Sequence, residues 1–229
     1  MSACPLSIII PALNEAAILT HTLMRLQDMR ERGHEVILVD GGSDDETASM
    51  SLALVDQVID SPRGRARQMN RGASVARGEV LVFLHADTWL PRGADRIMLR
   101  ALADKELAWG RFDVELSRER WLLPMVAYSM NLRSRLTGIA TGDQAMFVHR
   151  SLYEQVGGFP DIPLMEDVAM SRCLKRVSPP LCLRETVKTS TRRWVERGVV
   201  STILTMWWLR LRFALGGDAA RLSKIYTRS

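Results

Sequence analysis

Short apolar runs recur through the first hundred residues, and each is followed by a segment with helical spacing. LSIII at 6–10, EVILVD at 35–40, QVID at 57–60 and EVLVFLHAD at 79–87 read as strands. Helical patterns fill the intervals at 14–29, 41–54, 63–77 and 91–104. Pro11 closes the first strand and Gly33 the first helix. Asn14 is placed as that helix's N-cap, and Ser43 with Glu46 has the spacing of a capping box. Strands and helices in alternation dictate right-handed βαβ units. The predicted fold class is therefore α/β, with a mainly parallel sheet flanked by helices.

The second half is less regular. Strands are expected at 109–116 and 144–150, and helices at 121–136, 165–177 and 192–215. No internal repeat or low-complexity linker divides the chain. Its 229 residues fit one domain, 1–190, carrying a helical C-terminal segment, 191–229.

Charge is unevenly placed. The net charge is +5, yet residues 184–229 carry ten Lys or Arg against three acids. Such an end suits a phosphate-bearing partner or an anionic membrane more than it suits nucleic acid, because the tryptophans there lie in apolar helical stretches. The helix at 192–215 is apolar on nearly every face, so something must cover it. Three burials compete: the protein's own core, a second subunit in a homodimer, and a membrane surface met peripherally. Gly198–Leu209 is too short to cross a bilayer. Cys4, Cys173 and Cys182 form no zinc spacing and no CxxC pair. They fit a reduced cytoplasmic protein, peripheral on the inner face of the membrane if the third burial holds.

Familiar signatures are absent: no GxGxxG after a strand, no GxxxxGK[ST], no GxSxG, no HExxH. What remains is a set of acids at element ends. Asp40 ends a strand before Gly41 and Gly42, Asp87 follows His85 at the end of another, and Glu166 and Asp167 open a helix. A carboxylate at a strand end can meet a ribose or a divalent cation. It can equally cap the next turn, and two acids can simply answer a helix dipole.

PALNE (11–15), VDGGSDDET (39–47), HAD (85–87), MED (165–167) and TRRW (191–194) stand in the order and rough spacing of the family 2 glycosyltransferases. The resemblance covers nearly the whole chain. GRARQMNRGA (64–73), FLHADTWLP (83–91) and GDQAMFVHR (142–150) more narrowly resemble a bacterial subgroup called transferase 2, rSAM/selenodomain-associated, or arsenosugar-biosynthesis-like. This resemblance implies a GT-A fold, a Rossmann-like sheet that binds a nucleotide sugar. It implies that Pro11, Ala12, Glu15 and Asp40 meet the nucleoside, with Arg65, Arg67 and His85 also on the nucleotide-sugar side. Asp87 matches the acid that holds a divalent cation, Mn²⁺ or Mg²⁺, on the diphosphate. Asp167, beside Glu166, matches the catalytic base. Gln144, Arg193 and Trp194 fall near diphosphate and acceptor. The implied reaction is inverting transfer of a sugar to an acceptor hydroxyl. Two rivals stay open: a nucleotidyltransferase on a similar sheet, and a non-catalytic nucleotide-sugar-binding protein.

One position departs from the family pattern. His85 stands where the metal-binding motif begins with Asp. Imidazole suits Mn²⁺ or a phosphate oxygen and is a poor Mg²⁺ ligand, so the identity of the cation is left open.

Overall fold

The computed structural model describes residues 5–103, 107–116, 121–192 and 198–228. Eight strands form one sheet: β1 (Leu6–Ala12), β2 (Glu35–Asp40), β3 (Gln57–Asp60), β4 (Val80–Phe83), β5 (Thr88–Trp89), β6 (Trp109–Leu116), β7 (Met146–His149) and β8 (Leu181–Thr189). Their spatial order is β3-β2-β1-β4-β7-β6-β8-β5. The half built from β1 to β4 is parallel throughout. Beyond β4 the sheet is mixed: β7 runs antiparallel to β4 and β6, β8 is parallel to β6, and β5 is antiparallel to β8. The expectation of a mainly parallel sheet thus holds for the first half only.

The apolar runs are continuous because both faces of these strands are covered. Ile8, Ile10, Val36, Leu38, Val80 and Val82 point into one core layer, while Ile9, Ile37, Val39, Leu81 and Phe83 point into the other. The helices of the parallel half are α1 (Ala16–Met24), α2 (Gln27–Glu31), α3 (Thr47–Ser51), α4 (Arg65–Val75) and α5 (Ala94–Ala101). Gly72 of α4 lies so close to the sheet that a Cβ there would fall 2.4 Å from Ile9 and 2.9 Å from Val39. Later helices are α6 (Leu122–Thr137), α7 (Arg150–Gln155), α8 (Glu166–Lys175), α9 (Val199–Ala214) and α10 (Ala219–Arg228).

Buried Glu35 fastens the N-terminal ends of the strands. Its carboxylate accepts from Ser7 Oγ at 2.6 Å, Gln57 Nε2 at 3.1 Å, and the backbone N–H and guanidinium of Arg77, both at 2.8 Å. Every partner lies on a different strand or on the loop entering β4, so one satisfied carboxylate ties four segments.

Several boundaries differ from the sequence reading. Pro11 does not end β1; it pairs with Val39, and the strand runs to Ala12. The β4 ladder stops at Ile9, so the proline's missing N–H leaves no gap on that side. The helix expected at 14–29 is two helices, and its N-cap is Glu15, with Asn14 held left-handed at φ 54°. The box of Ser43 and Glu46 does not form; Ser43 bonds Asp40 instead, and α3 is one short turn. β4 ends at Phe83, and residues 85–88 make a turn closed by Thr88 N–H to His85 O at 3.1 Å. Leu84 and Ala86 are nevertheless buried while His85 and Asp87 are partly exposed, so alternation survives without a ladder.

The long C-terminal helix begins at Val199, and residues 193–197, with Arg193 and Trp194, lie outside the described residues. Val199 and Leu209 are buried, and Ile203, Met206 and Phe213 pack inward. One of the three competing burials, on the protein's own core, therefore accounts for one face of this helix. No helix among the described residues is long and apolar enough to cross a membrane.

Candidate active site

Three parallel strands, β1, β2 and β4, end at the same edge of the sheet. Ligands of open α/β sheets bind at such an edge. The loops that leave it are joined to one another. Asn14 N–H donates to Ser43 Oγ at 2.9 Å, Glu15 N–H to Thr47 Oγ1 at 2.9 Å, and Asp44 N–H to Asn14 Oδ1 at 2.8 Å. Caps for α1 thus come from the β2 loop rather than from its own first residues. Beneath them, buried Gln68 of α4 donates to Ala12 O at 2.8 Å and Val39 O at 2.9 Å. Pro11 and Ala12 are buried in this floor.

Asp40 turns back on its own loop. It accepts the N–H groups of Gly42 at 3.0 Å and Ser43 at 2.9 Å. Gly42 takes φ 81°, which folds the chain over the carboxylate. Asp40 therefore shapes the rim in this structure, and any nucleoside contact would share an acid already bonded. Glu15 stands on the adjoining loop, its side chain 25% exposed, and Arg192 reaches it at 3.4 Å.

The antiparallel strand β7 brings the second half of the site to this edge. Met146 pairs with Phe83, so the turn at Gly142–Gln144 lands beside His85. Asp143 Oδ1 lies 3.4 Å from His85 Nδ1. A Cβ on Gly142 would stand 2.2 Å from His85 Nε2, so the ring lies flush against that backbone. Gln144 is fully buried and holds the turn from below, its Oε1 accepting Thr141 N–H at 3.1 Å. It faces the turn rather than the cleft. The half-buried Asp87 has no side-chain hydrogen bond or ion pair among the described residues, and its carbonyl accepts Ser190 N–H at 3.0 Å.

Glu166 and Asp167 open α8 beneath the same turn. Asp167 accepts Gly142 N–H at 2.9 Å and Val168 N–H at 2.7 Å. Burial, then the charge of Asp167, pushes Glu166 above the ordinary carboxylate range, against the pull of Arg65 and His85. Burial raises Asp167 as well, against the two N–H donors and the same two cations. Two crowded carboxyls with raised affinity for protons mark a site that handles protons. Arg65 answers them from α4. Crowding of its surroundings pulls its pKa down, but Glu166, Asp143, Tyr226 and Asp167 outweigh that and hold it above its usual value. Its side chain is exposed.

Arg67 does not join this group. Two residues along a helix is more than half a turn, and its Nε pairs with Asp161 at 2.9 and 3.0 Å on the outside. Arg133 of α6 was not singled out by the sequence. Burial lowers its pKa against the attraction of Asp167, and its Nη2 is buried with no partner among the described residues. One of two arginines in a helix that reads as apolar and basic gives no signal of that kind. Asp143 and Gly142 were visible only as members of the GDQAMFVHR motif.

Three non-glycine residues adopt left-handed backbone among the described residues: Asn14, Ala145 and Met165. All three adjoin the site, in the β1 loop, after the 142–144 turn and before Glu166. Strained backbone collects where geometry is set by function.

A cation fits the donors present. Among the described residues no three His, Cys, Asp or Glu side chains gather as a ready metal cage. Asp87 is a half-buried carboxylate without a side-chain partner, and one or two carboxylates are what a cation shared with phosphate oxygens requires of a protein.

The sequence pattern and the fold recur in known proteins. The family model for glycosyl transferase family 2 matches residues 7–157. A PGL/p-HBAD biosynthesis glycosyltransferase of Mycobacterium tuberculosis is 31% identical over 170 residues, covering 69% of this chain and 64% of its own length. Among solved structures, Staphylococcus aureus TarS 1–349 in complex with UDP superposes with a TM-score of 0.67 at 18% identity, over 81% of this chain and 60% of that one. The mannosyltransferase PcManGT of Pyrobaculum calidifontis, in complex with GDP-Man and Mn²⁺, gives 0.65 at 21% identity, over 92% and 61%. Glucosyl-3-phosphoglycerate synthase of M. tuberculosis, with Mn²⁺, UDP and glucosyl-3-phosphoglycerate, gives 0.60 at 16% identity, over 81% and 70%. The chain has the GT-A fold these structures share and belongs to glycosyltransferase family 2.

Proposed function

We propose that this protein transfers a sugar from a nucleoside-diphosphate sugar to an acceptor hydroxyl, with inversion at the anomeric carbon. The observation that carries the reading is the pair of buried Glu166 and half-buried Asp167, set against Arg65 and His85 where β1, β2 and β4 end. Glu15 and Asp40 form the rim against which the nucleoside lies, over the floor that contains Pro11 and Ala12. Asp167 takes the proton of the acceptor hydroxyl as that oxygen attacks, and its raised proton affinity suits a base working near neutral pH. Glu166 stands beside it, its own proton affinity raised by burial and by the charge of Asp167. Arg65 offers positive charge to the diphosphate as it departs. Asp87 would hold a divalent cation, which supplies further positive charge at the same oxygens. Arg192 meets Glu15 at this rim, and the family motif assigns Arg193 and Trp194 to diphosphate and acceptor. That solved structures of the same fold carry UDP or GDP-Man with Mn²⁺ supports the donor class and the cation.

The test is a donor screen followed by one substitution. UDP-, GDP- and dTDP-sugars are assayed for thermal stabilisation with and without Mn²⁺. A ligand at a hundred times its Kd raises stability by about 2.7 kcal/mol. Asp167→Asn is then expected to lower kcat roughly 10²-fold with donor affinity little changed. Stabilisation by no nucleotide sugar, or full turnover by Asp167→Asn, would overturn the reading.

A further inference from the structure

Two helices turn apolar stripes to solvent. On α6, Trp121 just before the helix, Met125, Tyr128, Leu132 and Leu136 are exposed. On α9 the same spacing recurs in Val200, Leu204, Trp207, Leu211 and Leu215, with Trp208 beside them. Both helices have already spent their inner faces. Leu123, Val126 and Ala127 of α6 and Val199 of α9 belong to the central cluster, and Leu209 joins Leu164, Met165 and Val168 in another. The outer stripes are thus surplus to folding. Single exposed apolar residues are ordinary, but two ordered rows of large ones mark an interaction surface.

Charge decides what covers them. Neither α6 nor α9 contains an acid; of their arginines Arg212 is exposed and lies over Trp208, Arg135 is paired with Asp113 at 2.6 Å, and Arg133 and Arg210 are half-buried. α10 adds Arg221 and Lys224 and contains no acid either. Asp218, between α9 and α10, lies 3.9 Å from Arg221. A second copy of the chain seated on these stripes would offer no carboxylate from α6 or α9 to answer exposed Arg212. An anionic headgroup layer supplies the missing charge. Trp121, Trp207 and Trp208 are the side chains that favour the boundary between headgroup and acyl chain, and a helix lying in that plane needs an apolar row flanked by cations.

We propose that the outward faces of α6 and α9 dock this protein on an anionic bilayer surface. The cluster that anchors α9 contains Met165 and Val168, the neighbours of Glu166 and Asp167. Docking therefore sets the carboxylate pair one helix layer from lipid. The proposal stands apart from the transfer reading, because it is measured without any donor.

The experiment is co-sedimentation of the full chain with phosphatidylglycerol/phosphatidylcholine vesicles and with phosphatidylcholine alone, at low and high salt. The chain is expected in the pellet with phosphatidylglycerol at low salt, and less so at high salt. Trp207→Ser with Leu211→Ser, and separately Met125→Ser with Tyr128→Ser, are expected to lower the bound-to-free ratio at least about tenfold. All four positions are exposed, so melting temperature and nucleotide binding are expected to stay at the parent's values. A supernatant protein at low salt, or vesicle binding untouched by both pairs, overturns the proposal. So does a dimer in sedimentation velocity that the same substitutions dissolve, since the stripes would then belong to a second copy.

Discussion

The amide of Gly142 donates to the Asp167 carboxylate at 2.9 Å. The same residue gives the His85 ring its resting place, where a side chain on Gly142 would stand 2.2 Å from Nε2. One small residue therefore locks together the two halves of the site, the β4 turn and the start of α8. Gly142→Ala is expected to push the imidazole aside and cost about 1–3 kcal/mol in thermal or urea unfolding. Adding His85→Ala to that variant makes room and should recover most of the loss. Strictly additive effects in this double-mutant cycle would show that the methyl group meets something else.

Glu166 and Asp167 make a pH prediction with two readouts. Burial raises the proton affinity of both, and the charge of Asp167 adds to the rise at Glu166. Between the ordinary carboxylate range and the raised values, the folded state binds more protons than the unfolded chain. Stability therefore falls as pH rises through that window, and the penalty persists above it. Asp167→Asn should melt higher than the parent at neutral pH, with the gap closing toward acid. Activity runs the other way, because the base works deprotonated. The acid limb of kcat/KM should lie above the ordinary carboxylate range and belong to the pair rather than to one residue. A limb at the ordinary value would contradict the burial seen here.

Much of this was legible in the chain where elements are locally consistent. β2 and β3 of the parallel half, and β6 of the mixed half, begin and end where apolar runs and turn residues place them. β8 was missed for a physical reason: of LCLRETVKT only Val187 and Thr189 are buried, so no apolar period exists to find. The acids of the site stood out as residues at element ends. Which of them meet did not, because β7 carries Gly142 and Asp143 back antiparallel across the sheet, and pairing across sixty residues leaves no mark in spacing. Arg65 and Arg67 show the same limit, since a motif quoted as letters does not say which side of a helix faces the cleft.

That pair makes its own prediction. Arg65 answers Glu166, Asp143 and Asp167, while Arg67 is bound to Asp161 outside. Arg65→Ala is expected to lower kcat/KM for any accepted donor by at least about 10²-fold, as loss of a group aimed at developing charge does. Arg67→Ala breaks an exposed ion pair, worth at most about 1 kcal/mol, and should change kcat/KM less than about threefold. Steady-state kinetics of the two variants side by side decides the assignment. Equal losses would mean that Arg67 leaves Asp161 and turns to the cleft when donor binds.

Glu35 is far from this chemistry, at the opposite ends of the strands, and its effect should be on stability alone. Its carboxylate is 1% exposed and accepts from Ser7, Gln57 and both donors of Arg77. Glu35→Ala strands the Ser7 hydroxyl and the Arg77 N–H in a buried corner and leaves a cavity between β1 and β2. The expected cost is about 2–4 kcal/mol, read as a lower urea midpoint at unchanged slope. Glu35→Gln keeps the shape and the acceptor oxygen but turns one acceptor into a donor facing other donors, so it should recover only part of the loss. Neither variant should alter nucleotide affinity in protein that remains folded, because Glu35 and the floor laid by Gln68 lie at opposite ends of the same strands. A change in affinity that tracked the change in stability would instead mean that the sheet transmits strain along β1 and β2 to Ala12 and Asp40.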